Sequence, residues 1–243
     1  MARVLIIVPA YNEEEAIAST VADIRTWFPQ GDVLVINDCS KDGTLGVLRR
    51  EGIPHLDLPM NLGIGGGVQA GYQYARAHGY DIAVQFDGDG QHRADQLADL
   101  IAPILADEAD MVVGSRFVEG KGQSGFQSSA LRRLGIGFLS QLIFLLTGKR
   151  VRDVTSGFRA CNRELIEIFA HRYAQDYPEP EAIITVLVQG YRVREVSSLM
   201  RERRGGVSSI QSLKTVHYML KVSLAVLVMG IRLRKVKRRR KHV

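Results

Sequence analysis

The stretch Ile82–His92, IAVQFDGDGQH, carries a short apolar run straight into two carboxylates one residue apart. Such a run, stopped by a glycine-flanked acidic turn, reads as a buried strand of an α/β sheet, and the carboxyl ends of those strands are where such sheets bind ligands. Side chains at i and i+2 of extended chain point the same way, so Asp87 and Asp89 can approach one hard divalent ion, with Gln91 continuing that face. Two or three protein oxygens leave coordination positions open, and Mg²⁺ or Mn²⁺ commonly fills them with phosphate oxygens, which suggests a nucleoside diphosphate substrate. An isolated D-G-D-G is equally a solvated turn between strand and helix. The surrounding chain decides between the two.

Apolar runs and amphipathic stretches alternate on either side of this segment. Val4 to Val8 and Val33 to Ile36 read as strands, with His55 to Leu58 a short third one. Asn12 with Glu15 three residues on forms a capping box ahead of a helical stripe at Ala16, Ile17, Val21, Ile24 and Trp27. Thr44 to Arg50 is a short helix, and the glycine-rich Asn61 to Gly71 enters another through Tyr72 to Ala77. After the strand at Asp81 to Phe86 come a helix over Gln96 to Leu105 and a strand at Met111 to Val113. The β-α-β-α-β order predicts an α/β fold, a mostly parallel sheet with helices on both faces.

The second half is less regular. Val118 to Ser129 and the basic Arg201 to Ser212 read as loops, and Leu131 to Thr147 as a long apolar helix packed on the sheet or facing lipid. Asp153 to Arg163 makes a turn and strand, Glu181 to Gln189 a helix, and Val193 to Leu199 the last strand. Nothing resembles a linker before about residue 210, so the expected division is an α/β domain over 1–210 and an appendage over 211–243.

The net charge of +6 belongs to that appendage: Arg232 to Val243 holds eight Lys or Arg and no acid, which leaves 24 basic against 26 acidic groups, or −2, in residues 1–231. A nucleic-acid binder spreads its basic residues over a face with interleaved aromatics, and the body lacks that pattern. Just before the basic run, everything from Val222 to Ile231 is apolar, Ser or Gly, but Lys221 and His217 interrupt it too early for the roughly 20 residues a spanning helix needs. A membrane-associating helix fits, with the Lys/Arg cluster against anionic lipid on the cytoplasmic face of the cell membrane. A core helix with a solvated tail is the alternative. The short tail further suggests a small membrane-protein partner or self-association. Cys39 and Cys161 form no disulfide or metal framework, and the N-terminus reads as a first strand, not a signal peptide. The run GIGGGV does not fit G-x-G-x-x-G, because position 68 is Val, and it does not follow the first strand, which argues against a redox dinucleotide fold.

Five polar turns fall at strand ends: VPAYNEE from Val8, INDCSKDGT from Ile36, DGDGQH, VGSRF from Val113 and TSGFRACNR from Thr155. Together they resemble the family 2 glycosyltransferases of the GT-A fold, over residues 2–209. NLGIGGG, DGDGQH, GSRF, DVTSGFR and the R-x-x-G-x-S at Arg203, Gly206 and Ser208 are similar to the dolichyl-phosphate mannose synthase and bacterial polyprenyl-phosphate glycosyltransferase branch. Ser209 departs from the Lys common there, and QDYPEPEA from Gln175 resembles a bacterial cell-wall polysaccharide subgroup.

The resemblance implies that Pro9, Tyr11, Glu13 and Asp38 line the base and ribose pocket, and that Asp87, Asp89 and Gln91 hold Mg²⁺ or Mn²⁺. Asp38 is alternatively an Asx-turn residue preceding Ser40. Arg203, flanked by Gly205 and Gly206, would close over the pyrophosphate. Transfer in this family inverts the sugar at C1. A hydroxyl acceptor needs a carboxylate base, for which Asp176, Glu179 and Glu181 are the candidates and Glu181 fits best by its spacing to Glu195. A lipid monophosphate is mostly dianionic at neutral pH and needs cations instead, for which Arg116 with Arg132 or Arg133 are expected. Arg159 is expected to order the acceptor region or the Asp153 turn. The leading expectation is transfer from a nucleotide sugar, UDP-N-acetylglucosamine or UDP-glucose first, to a polyprenyl phosphate for cell-envelope glycan synthesis. A glycan-extending transferase with a hydroxyl acceptor and a non-catalytic sugar-nucleotide-binding scaffold are the alternatives.

Overall fold

The computed structural model describes residues 2–118, 130–201 and 221–230. Val4–Ala10 (β1) is buried along its whole length, as a strand with no polar face must be when a sheet is covered on both sides. It pairs in parallel with Asp32–Asn37 (β2) on one flank and Ile82–Gln85 (β4) on the other, and β2 pairs in parallel with His55–Asp57 (β3). The intervening helices are Ile17–Trp27 (α1), Thr44–Arg50 (α2) and Gly63–Ala77 (α3). Leu97–Leu105 (α4), Met111–Ser115 (β5), Ala130–Thr147 (α5), Arg159–Asn162 (β6), Arg163–His171 (α6), Pro178–Gln189 (α7) and Val193–Ser197 (β7) follow.

The strand order is β3-β2-β1-β4-β6-β5-β7. β6 runs antiparallel to β4 and β5, and β7 is parallel to β5, so the expected mostly parallel sheet forms with one reversed strand. Alternate residues of β1 go to opposite faces, as a period of two dictates. Leu5 and Ile7 pack with Tyr72 of α3, Ile143 of α5, Phe169 of α6 and Ile183 of α7. Ile6 and Val8 pack with Ile24 of α1, Leu48 of α2 and Leu100 of α4.

The reversal of β6 has a local cause. The turn before it is pinned at the carboxyl edge of the sheet: Arg116, next after β5, ion-pairs Asp153, and Glu195 of β7 accepts the N–H of Arg152 and of Asp153, each at 2.8 Å. Chain entering from that edge can only run against its neighbours. It thereby delivers the Ser156–Arg159 turn to the ends of β4 and β5, where Arg159 registers with Gln85 and Val113.

Four local expectations are corrected. The glycine run does not precede the helix but opens it, since α3 begins at Gly63. A Cβ at Gly65 would lie 2.2 Å from the Ala174 carbonyl oxygen, and one at Gly71 2.3 Å from Ile7 Cγ2, so these glycines admit neighbouring protein. Asn12 and Glu15 make no capping box: the N-cap of α1 is Ala16, without a side-chain bond, and Asn12 binds another loop. The sequence reading missed α6, which Asn162 caps by accepting the Leu165 N–H at 3.1 Å, with Leu165, Ile166, Phe169 and Ala170 as its buried stripe. Finally, α7 starts at Pro178, so Glu179 as well as Glu181 lies in its first turn.

Residues 221–230 are helical. Val222 and Val226 join the core on the α5/α7 face, and Gly230 meets Ile184 and Leu146, while Leu224 and Val228 are exposed. Among the described residues no helix is long and apolar enough to cross a membrane. The rest of the expected 211–243 appendage, its basic run included, lies outside the described residues.

Candidate functional site

The order β3-β2-β1-β4 places β1 and β4 side by side where the winding of the sheet changes direction, and open α/β sheets take ligands at such a point, in the crevice outside the carboxyl ends of the strands. The loops after β1 and β2 are laced into one wall. Asn12, at φ 57°, donates its N–H to Ser40 Oγ at 3.0 Å and accepts the Lys41 N–H at 2.8 Å. Glu13 N–H reaches Thr44 Oγ1 at 2.9 Å, and the Glu14 carboxylate accepts the Gly43 N–H at 2.9 Å. Tyr11 stands outside this lacing, 42% exposed beside the crevice, and Pro9 sits in β1 opposite Ile36.

Asp38 is buried, and its Oδ1 accepts the Leu62 N–H at 2.7 Å while its carbonyl accepts from Asn61 Nδ2 at 3.1 Å. One carboxylate oxygen therefore anchors the entry to α3. The local side-chain bond to Ser40 N–H comes from Asn37, not Asp38, at 3.4 Å.

The acidic turn is built around Asp87. Its Oδ1 accepts from Gln85 Nε2 at 3.3 Å and its Oδ2 from His92 Nε2 at 3.0 Å, and the side chain remains 34% exposed. Gly157 leaves the room it occupies: a Cβ there would lie 2.5 and 2.8 Å from the two carboxylate oxygens. Burial pushes the Asp87 pKa up, but hydrogen bonds from His92 and Gln85, with the His92 and Arg159 charges, outweigh it and hold the group below its ordinary 3.8. Asp89 is buried, with Oδ1 accepting the Gln91 N–H at 3.0 Å, and the Gln91 carbonyl accepts from Arg201 N–H at 2.8 Å. Gly88 lets the turn press on β1, since a Cβ there would stand 3.0 Å from the Pro9 carbonyl.

This arrangement fits a hard divalent cation. Each carboxylate oxygen has two lone pairs, so one hydrogen bond to each Asp87 oxygen leaves acceptor capacity toward the crevice. Among the described residues no three His, Cys, Asp or Glu side chains gather into a cage. A hard divalent ion held by two or three protein oxygens takes its remaining positions from substrate oxygens and water.

The acceptor side departs from expectation. Arg116 does not stand free for a phosphate: Nε and Nη2 each bind the Asp153 carboxylate at 2.7 Å, Nη2 also reaches Thr155 Oγ1 at 3.0 Å, and the side chain is 8% exposed. A buried carboxylate 37 residues away has claimed the fork. Arg133 is exposed on α5, whereas the Arg132 side chain and all of Arg203 lie outside the described residues. Arg159 is fully buried and donates to the Ser156 and Glu179 carbonyls, so it orders the turn beside Asp87 and the start of α7. The Asp153 turn is ordered by Arg116 and Glu195 instead.

Of the three candidate bases, Glu181 is half-buried; burial pushes its carboxyl up, and the Asp176 charge adds to that. Burial raises Glu179 too, the Arg159 charge partly offsets this, the Asp87 charge adds to it, and Gln85 bonds the carboxyl. Glu179 is thus the carboxyl in electrostatic touch with the acidic turn, a relationship created by β4 and α7 meeting. His92, Gln85 and Gly157 are the other participants that sequence reasoning passed over. The only local signal was the His closing DGDGQH.

The family model for glycosyl transferase family 2 matches residues 5–169. The chain is 35% identical over 163 residues to an undecaprenyl-phosphate mannosyltransferase of Micrococcus luteus, covering 65% of each chain, just under two thirds of that protein's length. It is 31% identical over 187 residues to a UDP-N-acetylglucosamine-dolichyl-phosphate N-acetylglucosaminyltransferase of Methanococcus voltae, with 70% of this chain and 73% of that one covered. A polyprenol monophosphomannose synthase of Mycolicibacterium smegmatis is 29% identical over 235 residues, covering 91% of this chain and 86% of that one. Among solved structures, glucosyl-3-phosphoglycerate synthase from Mycobacterium tuberculosis, in complex with Mn²⁺, UDP-glucose and phosphoglyceric acid, has a TM-score of 0.70 at 20% identity, covering 96% of this chain and 80% of that one. This last likeness is one of fold.

Proposed function

The chain belongs to glycosyl transferase family 2 and has a GT-A fold, and from this premise we propose that it transfers a sugar from a nucleoside diphosphate donor to a polyprenyl phosphate, inverting C1. The observation that carries the reading is Asp87, one third exposed and hydrogen-bonded at both oxygens, beside buried Asp89 at the β1/β4 edge. Asp87 and Asp89, with Gln91, would hold Mg²⁺ or Mn²⁺, which when bound neutralises charge growing on the departing diphosphate. The wall formed by Pro9, Tyr11, Glu13 and Asp38 receives the nucleoside, with Asp38 Oδ2 facing the base once Oδ1 is committed to Leu62. Arg203, two residues past the anchored Arg201, is assigned to the diphosphate.

The acceptor reading is supported by the names of these three relatives, each of which gives an undecaprenyl or dolichyl phosphate or a polyprenol phosphomannose. A dianionic phosphate attacks without a base. Arg133, and Arg132 beside it, are the cations assigned to it now that Arg116 is paired with Asp153. For the donor, UDP-N-acetylglucosamine is the finer proposal, and a mannosyl donor is the other outcome, because both sugars stand in the relatives' names.

We place the protein peripherally on the cytoplasmic face of the membrane, where a lipid phosphate acceptor is reached. The exposed Leu134, Phe138 and Leu145 of α5, and Leu224 and Val228 of the 221–230 helix, supply apolar surface, and the eight basic residues from Arg232 supply charge. A small membrane protein or a second copy would complete that attachment.

A second reading keeps a hydroxyl acceptor on a lipid-linked glycan. It is favoured by Glu179, whose raised carboxyl beside Asp87 suits a base.

The test is incubation of the full chain with Mn²⁺, radiolabelled nucleotide sugars and undecaprenyl phosphate in mixed micelles. Chelator-sensitive label in the organic phase supports the lipid-phosphate reading and names the sugar. Label that stays aqueous across the panel while nucleotide binds overturns it in favour of the hydroxyl acceptor.

A further inference from the structure

We infer that His92 is a positioning residue that fixes the Asp87 carboxylate in the orientation its cation needs, an inference resting on the reading of Asp87 as a cation ligand. A carboxylate at the head of a turn, followed directly by Gly88, has little covalent reason to hold one rotamer. Three contacts supply the reason here. Gln85 Nε2 donates to Oδ1, His92 Nε2 donates to Oδ2, and the absence of a side chain at Gly157 leaves the space both oxygens fill. Gln85 lies within β4 and moves with Asp87, so the imidazole is the contact that ties the carboxylate to a different part of the turn.

The ring of His92 is itself immobilised. It is 3% exposed, stacks on Phe158 at 5.1 Å and 22°, meets Phe86 edge-on at 5.6 Å, and its backbone bridges Met200. Because Asp87 only accepts, Nε2 carries the hydrogen of that bond. Nδ1 is buried and has no partner among the described residues. An apolar ring between Phe86 and Phe158 would pack as well without burying an orphaned nitrogen, so packing alone gives no reason for an imidazole. Among the described residues the single hydrogen-bond partner of the ring is Asp87 Oδ2. Groups that hydrogen-bond a metal-binding carboxylate typically govern metal affinity roughly 10–100-fold.

The experiment measures Mn²⁺ affinity directly, by the EPR signal of free Mn²⁺ titrated into the full chain with saturating UDP, alongside UDP binding and thermal unfolding. His92→Phe fills the space and removes the donor; His92→Gln returns an N–H near the Nε2 position; His92→Asn offers one too short to reach. Expected is a loss of roughly 10–100-fold in Mn²⁺ affinity for Phe and Asn, with Gln close to the parent and UDP binding without metal unchanged. If His92→Phe does not fold, the Gln and Asn variants carry the comparison. Equal Mn²⁺ affinity in parent and donor-less variants overturns the role of His92. A parent that binds UDP but takes up no Mn²⁺ overturns the cation reading itself, and this inference with it.

Discussion

Arg116 grips Asp153 with both arms of its guanidinium at 2.7 Å, and its own backbone N–H adds a third bond to Oδ2 at 3.0 Å. The pair is 8% and 0% exposed, so water screens it little. Removing one partner strands the other as a buried, uncompensated charge. Arg116→Ala and Asp153→Asn are each expected to lose about 3–5 kcal/mol in urea unfolding. Arg116→Lys keeps the charge but not the fork, and should fall between them and the parent. Stability unchanged in Arg116→Ala would return this arginine to the list of free phosphate cations.

Glycines in two helices should respond oppositely to alanine. At Gly65 a Cβ would strike the carbonyls of Ala174 and Gln175 at 2.2 and 2.5 Å, backbone that cannot step aside cheaply. Gly65→Ala is expected to destabilise by about 1–3 kcal/mol. At Gly46 in α2 a Cβ would meet nothing within 4 Å, and Gly46→Ala should gain up to about 1 kcal/mol from helix propensity. Urea melts of the two variants side by side decide the matter; equal effects would contradict the packing at α3.

Gly157→Ala intrudes on the Asp87 carboxylate, the movable end of a side chain. The expected result is a near-parental melting temperature with Mn²⁺ affinity and sugar transfer both reduced more than about tenfold, within the range seen when the surroundings of a metal ligand are altered. Calorimetry and the Mn²⁺ titration read the two effects separately.

The acids of this fold pull stability in opposite directions with pH. Hydrogen bonds from Arg192 hold Asp110 below its ordinary 3.8 despite partial burial. Its contribution is therefore present above pH 3.8 and is lost as pH falls through the lower folded value. Glu179 and Glu181 are raised above 4.5, chiefly by burial, so the folded state prefers them protonated. Their contribution is full below pH 4.5 and declines as pH rises through the folded values. Urea melts across the acid-to-neutral range should show Asp110→Asn weaker than the parent at neutral pH and converging with it in acid. Glu179→Gln and Glu181→Gln should gain on the parent as pH rises above 4.5.

Local pattern sufficed where local physics decides. β1 was legible because the unbroken apolar run Val4 to Val8 is too short for a helix and leads into a proline-containing turn, and α1 because its apolar stripe has helical spacing. It failed where the deciding partner is remote. Asn12 and Glu15 have the spacing of a capping box, yet Asn12 bonds Lys41, 29 residues on. The helix α6 was not legible because its nine residues follow β6 with no intervening loop, so that the Asn162 cap is itself the last residue of the strand. The glycines of α3 read as a run leading into the helix, not as its first turns, because nothing in their own sequence announces the Ala174–Gln175 segment that they accommodate.

By itself, then, the sequence determined the alternation of strands and helices, the polar turns at the strand ends and the family those turns resemble. These are properties of chain neighbours, set by periodicity and by which residues tolerate a turn. Only the tertiary structure decided which charged groups are free to act. Arg116 is claimed by Asp153, Glu179 and not Glu181 feels Asp87, and His92 stands behind the carboxylate that faces the crevice. A side chain's orientation and charge are set by whatever surrounds it in space, and in this fold those surroundings come from β4, β6 and α7, brought together only when the sheet closes.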